Sequence, residues 1–384
     1  MATSDPDKRR EPTKDPGIKD IATALGVSIG TVDRALHERP GINPETRVRV
    51  LKMAQKLGYR PNVAARHLKL RRKLQISVNL PQEIASFFDA LREGVEEAAR
   101  PFQSTVEIQF RTSPRLGERD VELLAEAVES GANGIIVAPG DPADFKPWIH
   151  KAARKNVPVV CVATDAPESE RLTTISSDPY VSGAMAAELL TRFSPGRGSA
   201  LIVTGSLSTV DHAEKVRGFR EFLKSNSAAM RVASVVEARD NPEQALRLTT
   251  ECLKKNPQIQ AIYVSTSNSI PVIQAIEKEG RAGQAAVITT DLFPALIPFI
   301  RSGKVLASIY QRPRAQGRLA FQALYEFLAE GTCPPLRHRL SPHIILASNL
   351  DLFLEMLPGD FEEVVTPQNQ DRKMHRNKLV VKHT

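Results

Sequence analysis

From Leu74 onward, short apolar runs alternate with longer amphipathic ones. LQISVNL (74–80), VEIQFRT (106–112), NGIIVAP (133–139), VPVVCVA (157–163), SALIVTG (199–205), RVASVVEA (231–238), IQAIYVS (259–265), AAVITTD (285–291) and KVLASIY (304–310) have the length and β-branched content of strands. Between them, segments such as FFDALREGVEEAAR (87–100), RDVELLAEAVESG (119–131), YVSGAMAAELLTRF (180–193) and NPEQALRLTTECLKKN (241–256) repeat apolar residues at helical spacing. This alternation predicts parallel sheets covered by helices. The strands form two sets, one before and one after about Ser176, so two doubly wound subdomains are expected, with chain crossovers near residues 176, 308 and 334.

The N-terminal pattern differs. Ile18, Ile21, Ala22 and Leu25 recur at helical spacing up to Gly26, whose permissive backbone ends the run in a tight turn. Ser28 is placed to cap a second helix with Val32, Ala35 and Leu36 as its buried stripe, leaving Ile29, Gly30, Asp33, Arg34 and His37 to point elsewhere. Two short helices joined by a Gly-Val-Ser turn predict a helix-turn-helix. A third helix opens at Asn43-Pro44-Glu45, with a capping side chain, a proline at the first helical position and an acid in the first turn, and runs to Gly58. Its Val48, Leu51, Met53, Ala54 and Leu57 are expected to close a three-helix core. Pro61 and Asn62 then make a break and a cap, and Val63 to Leu70 can form one or two turns, too short to be stable alone.

Charge sharpens this division. Residues 16–75 carry 13 Lys/Arg against 4 Asp/Glu, a net of +9, while the whole chain is +8, so the remaining 324 residues sum to −1. The basic character sits where phosphates would be met.

GIKDIATALGVSIGTVDRAL, followed by PETRVRVLKMAQKLGYRPNVAARHL, resembles the headpiece of the LacI/GalR family of bacterial transcription regulators, and the similarity continues in weaker form to about residue 350. The resemblance implies an all-α helix-turn-helix headpiece with a hinge helix, then an α/β two-lobed periplasmic-binding-protein-like domain of two doubly wound parallel sheets. A homodimer on double-stranded operator DNA is implied too. In the usual docking, the second helix enters the major groove. Arg34 is then the candidate for a bidentate contact to guanine, Ile29 for apolar contact to a thymine methyl and Thr31 for a phosphate, while Gly30 permits close approach. Asp33 departs from the family's usual small hydroxyl residue; it either pairs with a neighbouring Arg or accepts from a cytosine amino group. The resemblance also implies that two hinge helices pair across the dimer and enter the minor groove, with Asn62 capping, Ala65 lining the contact and Leu68 wedged between base pairs.

Effector-site candidates come from loops at strand ends, where open α/β sheets bind ligands. They are Asn79 and Phe87 after the first strand, Asp165, Lys215, Asn268, Asp291 and Gln311, with Phe88, His212, Ser265 and Thr266 nearby. An aromatic face suits the apolar face of a sugar ring; Phe88 fits equally as core of the following helix. Each polar group has an alternative as a cap or turn, and Asp178 before a helix is expected to be a cap. Relatives often carry a sugar-binding carboxylate where this chain has Ala163, and an arginine where it has Lys215, so the ligand does not carry over with the fold. A sugar, polyol or sugar acid is the expected class.

Other chemistry finds little support. Cys161, Cys252 and Cys333 lack paired spacing, which argues against a zinc site and fits buried thiols in a reducing cytoplasm. No Walker loop, nucleophile elbow or HExxH occurs, so no cofactor or metal is expected. No apolar run approaches the roughly 20 residues of a membrane span, and no secretory signal is recognised. His338 and His343 are expected at the surface. The plan is thus a flexible arm (1–16), a headpiece (17–60), a hinge helix and linker (61–73), an effector-binding and dimerisation domain (74–358) and a flexible tail without a heptad (359–384). The function expected is a cytoplasmic, sequence-specific transcriptional regulator, a repressor by resemblance, whose grip on DNA depends on the effector. The alternatives are a DNA-binding, autoregulated enzyme acting on a sugar or nucleotide, and a transport-type solute receptor.

Overall fold

The computed structural model describes residues 17–36, 41–57, 73–194, 198–226 and 229–356. The hinge segment, with its candidates Asn62, Ala65 and Leu68, lies outside the described residues, as do the expected arm and tail and the Asp33 side chain. The chain divides into two units, Met1–Arg66 and His67–Thr384.

The first unit is built from three helices, α1 (Ile18–Leu25), α2 (Ile29–Leu36) and α3 (Pro44–Leu57). Gly26 ends α1 in the left-handed region at φ 65°, which glycine adopts without penalty. Ser28 starts α2: its Oγ accepts from the Thr31 N–H at 3.0 Å. Asn43 does the same for α3, accepting from the Glu45 N–H at 2.9 Å. Ile21, Ala22, Val32, Ala35, Val50 and Ala54 form the core, with Met53 and Leu57 packed against it. Val48 and Leu51 do not join it; they are 51% and 46% exposed. The core-facing stripe of α3 runs through residues 50, 54 and 57, and 48 and 51 lie off that line at 100° per residue.

The second unit contains two six-stranded sheets. In the first, β1 (Leu74–Pro81), β2 (Val106–Ser113), β3 (Gly134–Val137), β4 (Val159–Val162), β5 (Thr173–Ser177) and β11 (Arg337–Leu340) are all parallel, in the order β11-β5-β4-β3-β1-β2. The second orders β6 (Ser199–Thr204), β7 (Arg231–Glu237), β8 (Ile259–Val264), β9 (Ala286–Thr290), β10 (Ala307–Tyr310) and β12 (His343–Ile345) as β12-β10-β9-β8-β6-β7. It is not wholly parallel as expected: β12 pairs antiparallel with β10, because the chain reaches it through Ser341 and Pro342 directly from the other lobe, with no covering helix to reverse its direction. All nine expected strands form. Three more, β5, β11 and β12, escape the apolar pattern: β5 is TTISS and buries polar residues, β11 is a charged edge and β12 has three residues.

Each sheet reverses order beside its first strand, between β1 and β3 and between β6 and β8, the switch points that place ligands at carboxyl ends. In the second lobe the period-two alternation divides the core. Leu201 and Val203 face one cluster with α9 (Pro242–Lys255) and α10 (Ser269–Lys278); Ala200 and Ile202 face another with α7 (Pro179–Phe193) and α8 (Val210–Ser225). The chain crosses between lobes after β5, after β10 into α12 (Pro313–Glu330), and at Ser341-Pro342. The last crossing is later than the expected 334, because β11 first pairs with β5. Cys161 and Cys252 are buried, and burial pushes the Cys161 thiol up to about 12; Cys333 is exposed, against expectation.

Glycines set the closest helix contacts in both lobes. A Cβ on Gly183 of α7 would lie 1.9 Å from the Lys215 carbonyl oxygen, and one on Gly218 of α8 would lie 2.0 Å from that of Tyr180. In the first lobe, Gly94 of α4 (Ala85–Ala99) meets the Arg314 carbonyl and Gly317 of α12 meets that of Leu91, each at 2.0 Å. The clashing atoms are backbone, so the helices themselves would have to separate. Gly183→Ala is therefore expected to cost about 2 kcal/mol or more, read as a lowered midpoint in denaturant unfolding, whereas Gly280→Ala, with open space around its Cβ, should cost only the strain of its left-handed backbone at φ 67°, about 1 kcal/mol.

Candidate functional site

Two sites emerge, one in each unit. On α2, Val32 and Ala35 are buried, which turns the opposite face outward. Ile29 is 49% exposed, Gly30 and Arg34 are exposed and Thr31 is half-buried. The Thr31 hydroxyl shares a 2.9 Å hydrogen bond with Ser28 Oγ, which fixes its rotamer. A side chain at Gly30 would meet nothing closer than Ser28 Oγ at 3.8 Å, so glycine is not required there by packing; it leaves the helix surface flat. The four residues expected to face DNA thus all reach solvent, Thr31 only in part.

The second site lies between the lobes of the larger unit, where Asp211 N donates to Thr164 Oγ1 at 3.3 Å. Lys215 is its centre. Only 1% exposed, it projects from α8 and donates to the Ser265 carbonyl at 3.1 Å and to Gln311 Oε1 at 2.7 Å, and pairs with Asp211 Oδ2 at 2.7 Å. Gln311 carries the network onward: its Nε2 donates to Asp291 Oδ2 at 2.7 Å and its N–H to Asp291 Oδ1 at 3.0 Å. Ser267 Oγ adds a third donor to Asp291 at 2.6 Å. Burial holds the Asp291 carboxyl above the usual carboxylate range, against the pull of these donors and of Lys215. Asp291 takes a left-handed backbone, φ 64°, at the end of β9.

Two cavities flank this network. The inner one, of about 40 Å³, is lined by Phe87, Phe88, Ala163, Asp211, His212, Lys215, Asp240 and Gln311 among others; the outer one, of about 260 Å³, lies between Phe87 and Asp89 on one lobe and Asp291, Phe293 and Tyr310 on the other. Phe87 borders both, and Phe88, compatible in sequence with simple core, reaches the inner cavity with its ring edge-on to Phe87 at 5.0 Å. His212 accepts from the Ser206 N–H through Nδ1 at 3.1 Å.

The structure therefore brings Phe87, Lys215, Asp291 and Gln311 together. Asn268 stands just before α10, half-buried, its Nδ2 without a hydrogen-bond partner, and it does not border either cavity. Asn79 is buried within β1, its Oδ1 taken by Ser77 Oγ at 2.7 Å, and it too lies away from the cavities. Asp165 is drawn off altogether: Arg171 holds it through Nε at 2.5 Å and Nη2 at 2.9 Å, with Thr174 as a further donor. Asp165 borders neither cavity, so the expected effector role gives way to a buried ion pair. Asp178 caps α7 as expected, accepting from the Val181 N–H at 3.1 Å. Asp211 and Asp240 were not anticipated. Asp211 was accessible to helical spacing, four residues before Lys215; Asp240 precedes Asn241, the residue that caps α9, and no local pattern marks it.

The geometry has counterparts. The model of the periplasmic binding protein domain matches residues 76–332, and that of bacterial regulatory proteins of the lacI family matches residues 17–62. The chain is 25% identical over 265 residues to catabolite control protein A of Priestia megaterium, covering 68% of this chain and 78% of that protein. It is 27% identical over 267 residues to the ribose operon repressor of Bacillus subtilis, covering 70% and 77%. Among solved structures, GanP, a glucose-galactose binding protein from Geobacillus stearothermophilus, matches with a TM-score of 0.68 at 26% identity, over 73% of this chain and 99% of that one. The chain thus joins a helix-turn-helix domain of the lacI family of bacterial regulatory proteins to a domain of the periplasmic binding protein family that spans most of its length.

Proposed function

We propose that this protein is a sequence-specific transcriptional repressor whose operator affinity is set by a small polar, sugar-like effector bound between the lobes. One observation carries the reading: the chain that exposes Ile29, Gly30, Thr31 and Arg34 on a helix-turn-helix also gathers Lys215, Asp291 and Gln311 around an inter-lobe cleft walled by Phe87. The names of the relatives support both halves, since one is a ribose operon repressor and a structural neighbour binds glucose and galactose. They support a regulator over an enzyme as well.

The protein acts as a homodimer on cytoplasmic operator DNA. A palindromic half-site arrangement matches such symmetry, and among the described residues no helix is long and apolar enough to cross a membrane. Closure of the lobes on effector biases the segment around Leu68, which by its sequence is too short to form a stable helix alone, and so changes the hold on the minor groove. Operator binding measured by fluorescence anisotropy, with and without sugars and polyols, tests the reading. An affinity indifferent to every such compound would sink it.

Arg34→Ala should relax base preference at one operator position, at a cost of about 1–3 kcal/mol for the preferred base, while nonspecific binding falls far less; competition against single-base operator variants separates the two. Lys215→Ala leaves Asp211 as an unpaired buried charge and should lower stability by about 3–5 kcal/mol, with loss of any effector-induced rise in melting temperature. The raised carboxyl of Asp291 contributes stability that is fully present below the ordinary value of 3.8 and is lost as pH rises through the folded value. Denaturant unfolding should therefore show wild type losing stability relative to Asp291→Asn as pH rises through that range.

A further inference from the structure

Two carboxylates in the cleft each keep an oxygen that the network around Lys215 does not use. Asp211 and Asp240 both border the inner cavity and are 8% and 7% exposed. In each, Oδ1 is buried without a hydrogen-bond partner. A buried carboxylate oxygen without a donor is costly, which marks these two as acceptors awaiting one.

They reach the cavity by different routes. Asp211 stands in the first turn of α8, where Oδ2 holds the Lys215 ammonium at 2.7 Å and Oδ1 is left over. Asp240 follows Arg239, and both take left-handed backbone conformations, φ 52° and 49°. The turn is pinned by hydrogen bonds from Ala238 N to Thr204 O at 2.8 Å and from Arg239 N to Gly205 O at 3.1 Å. Arg239 is exposed and Asp240 buried, so the paired turn directs the carboxylate inward. Gly205 makes room: a Cβ there would lie 2.8 Å from Asp240 Oδ2 and 2.5 Å from His212 Nδ1.

The available donors point the same way. An ammonium has three N–H groups, and Lys215 commits all three, to Asp211, Gln311 and the Ser265 carbonyl. Nothing remains on it for an anionic ligand. Asp240 also adds negative potential across the cleft, where, together with burial, it raises the carboxyl of Glu83.

We infer that Asp211 and Asp240 are effector-contacting residues that accept hydrogen bonds from ring hydroxyls and select a polyol without acidic groups, refusing sugar acids and sugar phosphates. The inference rests on the sensor reading above and removes the sugar acid from the three ligand classes that the sequence leaves open.

The test uses the full-length protein in thermal-shift and calorimetric titrations with matched sets: glucose, galactose, ribose, arabinose and myo-inositol against glucuronate, galacturonate, glucose 6-phosphate and ribose 5-phosphate. A ligand is expected among the neutral compounds, with its acid and phosphate counterparts at least about a hundredfold weaker. Asp240→Asn keeps the size of the side chain, and asparagine tolerates the left-handed backbone. It should weaken the neutral ligand about tenfold and narrow the gap to the acid. Asp211→Asn should also weaken binding, with a lower unliganded melting temperature because Lys215 loses its counter-ion. Tighter binding of an acid or phosphate, or unchanged affinity in Asp240→Asn, overturns the inference and leaves the sensor reading in place. No binding by any sugar or polyol overturns both.

Discussion

A full positive charge is buried beside the cleft of the larger unit, and the cleft is organised by the need to hold it. Taking an ammonium out of water is so unfavourable that it persists only when its three hydrogens meet well-placed acceptors. For Lys215 these come from three elements: Asp211 one turn earlier on α8, the carbonyl of Ser265 beyond β8, and Gln311 beyond β10. Gln311 in turn fixes Asp291 beyond β9. One charge thereby ties the ends of three neighbouring strands and one helix into a single polar floor.

That floor depends on backbone packing as much as on polarity. Gly183 allows α7 to touch the carbonyl of Lys215 itself, so the helix carrying the charge is positioned by a contact that no larger residue permits. The same device, Gly94 with Gly317, recurs between α4 and α12 in the other lobe, next to the aromatic pair that walls the cleft. Two lobes with a polar floor on one and an aromatic wall on the other suit a ligand with a hydroxylated edge and an apolar face. Such a ligand binds both lobes only when they approach, which links occupancy to lobe position.

Much of this was legible in the chain. The headpiece was readable because its signals are local: Gly26 stops α1, Ser28 and Asn43 cap the next two helices, and each works through neighbours within three residues. Seven of the nine apolar strands were readable because a sheet buried on both faces leaves continuous runs of Val, Ile and Leu, while the half-exposed edge strands β2 and β7 were readable from their β-branched content. β5 was not, because its Thr173 and Thr174 are buried by pairing with Pro335 and Asp165, partners that no local pattern reveals.

By itself the sequence determined the two-part plan, the exposed face of α2 and the strand ends from which a ligand site would be drawn, since periodicity, capping and charge act over a few residues. Only the tertiary structure decided which of those strand-end groups share a cleft. Asp165 is withdrawn by Arg171, six residues away, while Asp211 and Asp240 are brought in by a helix turn and a left-handed turn. Whether a carboxylate serves a ligand or a neighbour depends on which donor reaches it first in space, and that distance is set by how helices and sheets pack, not by order along the chain.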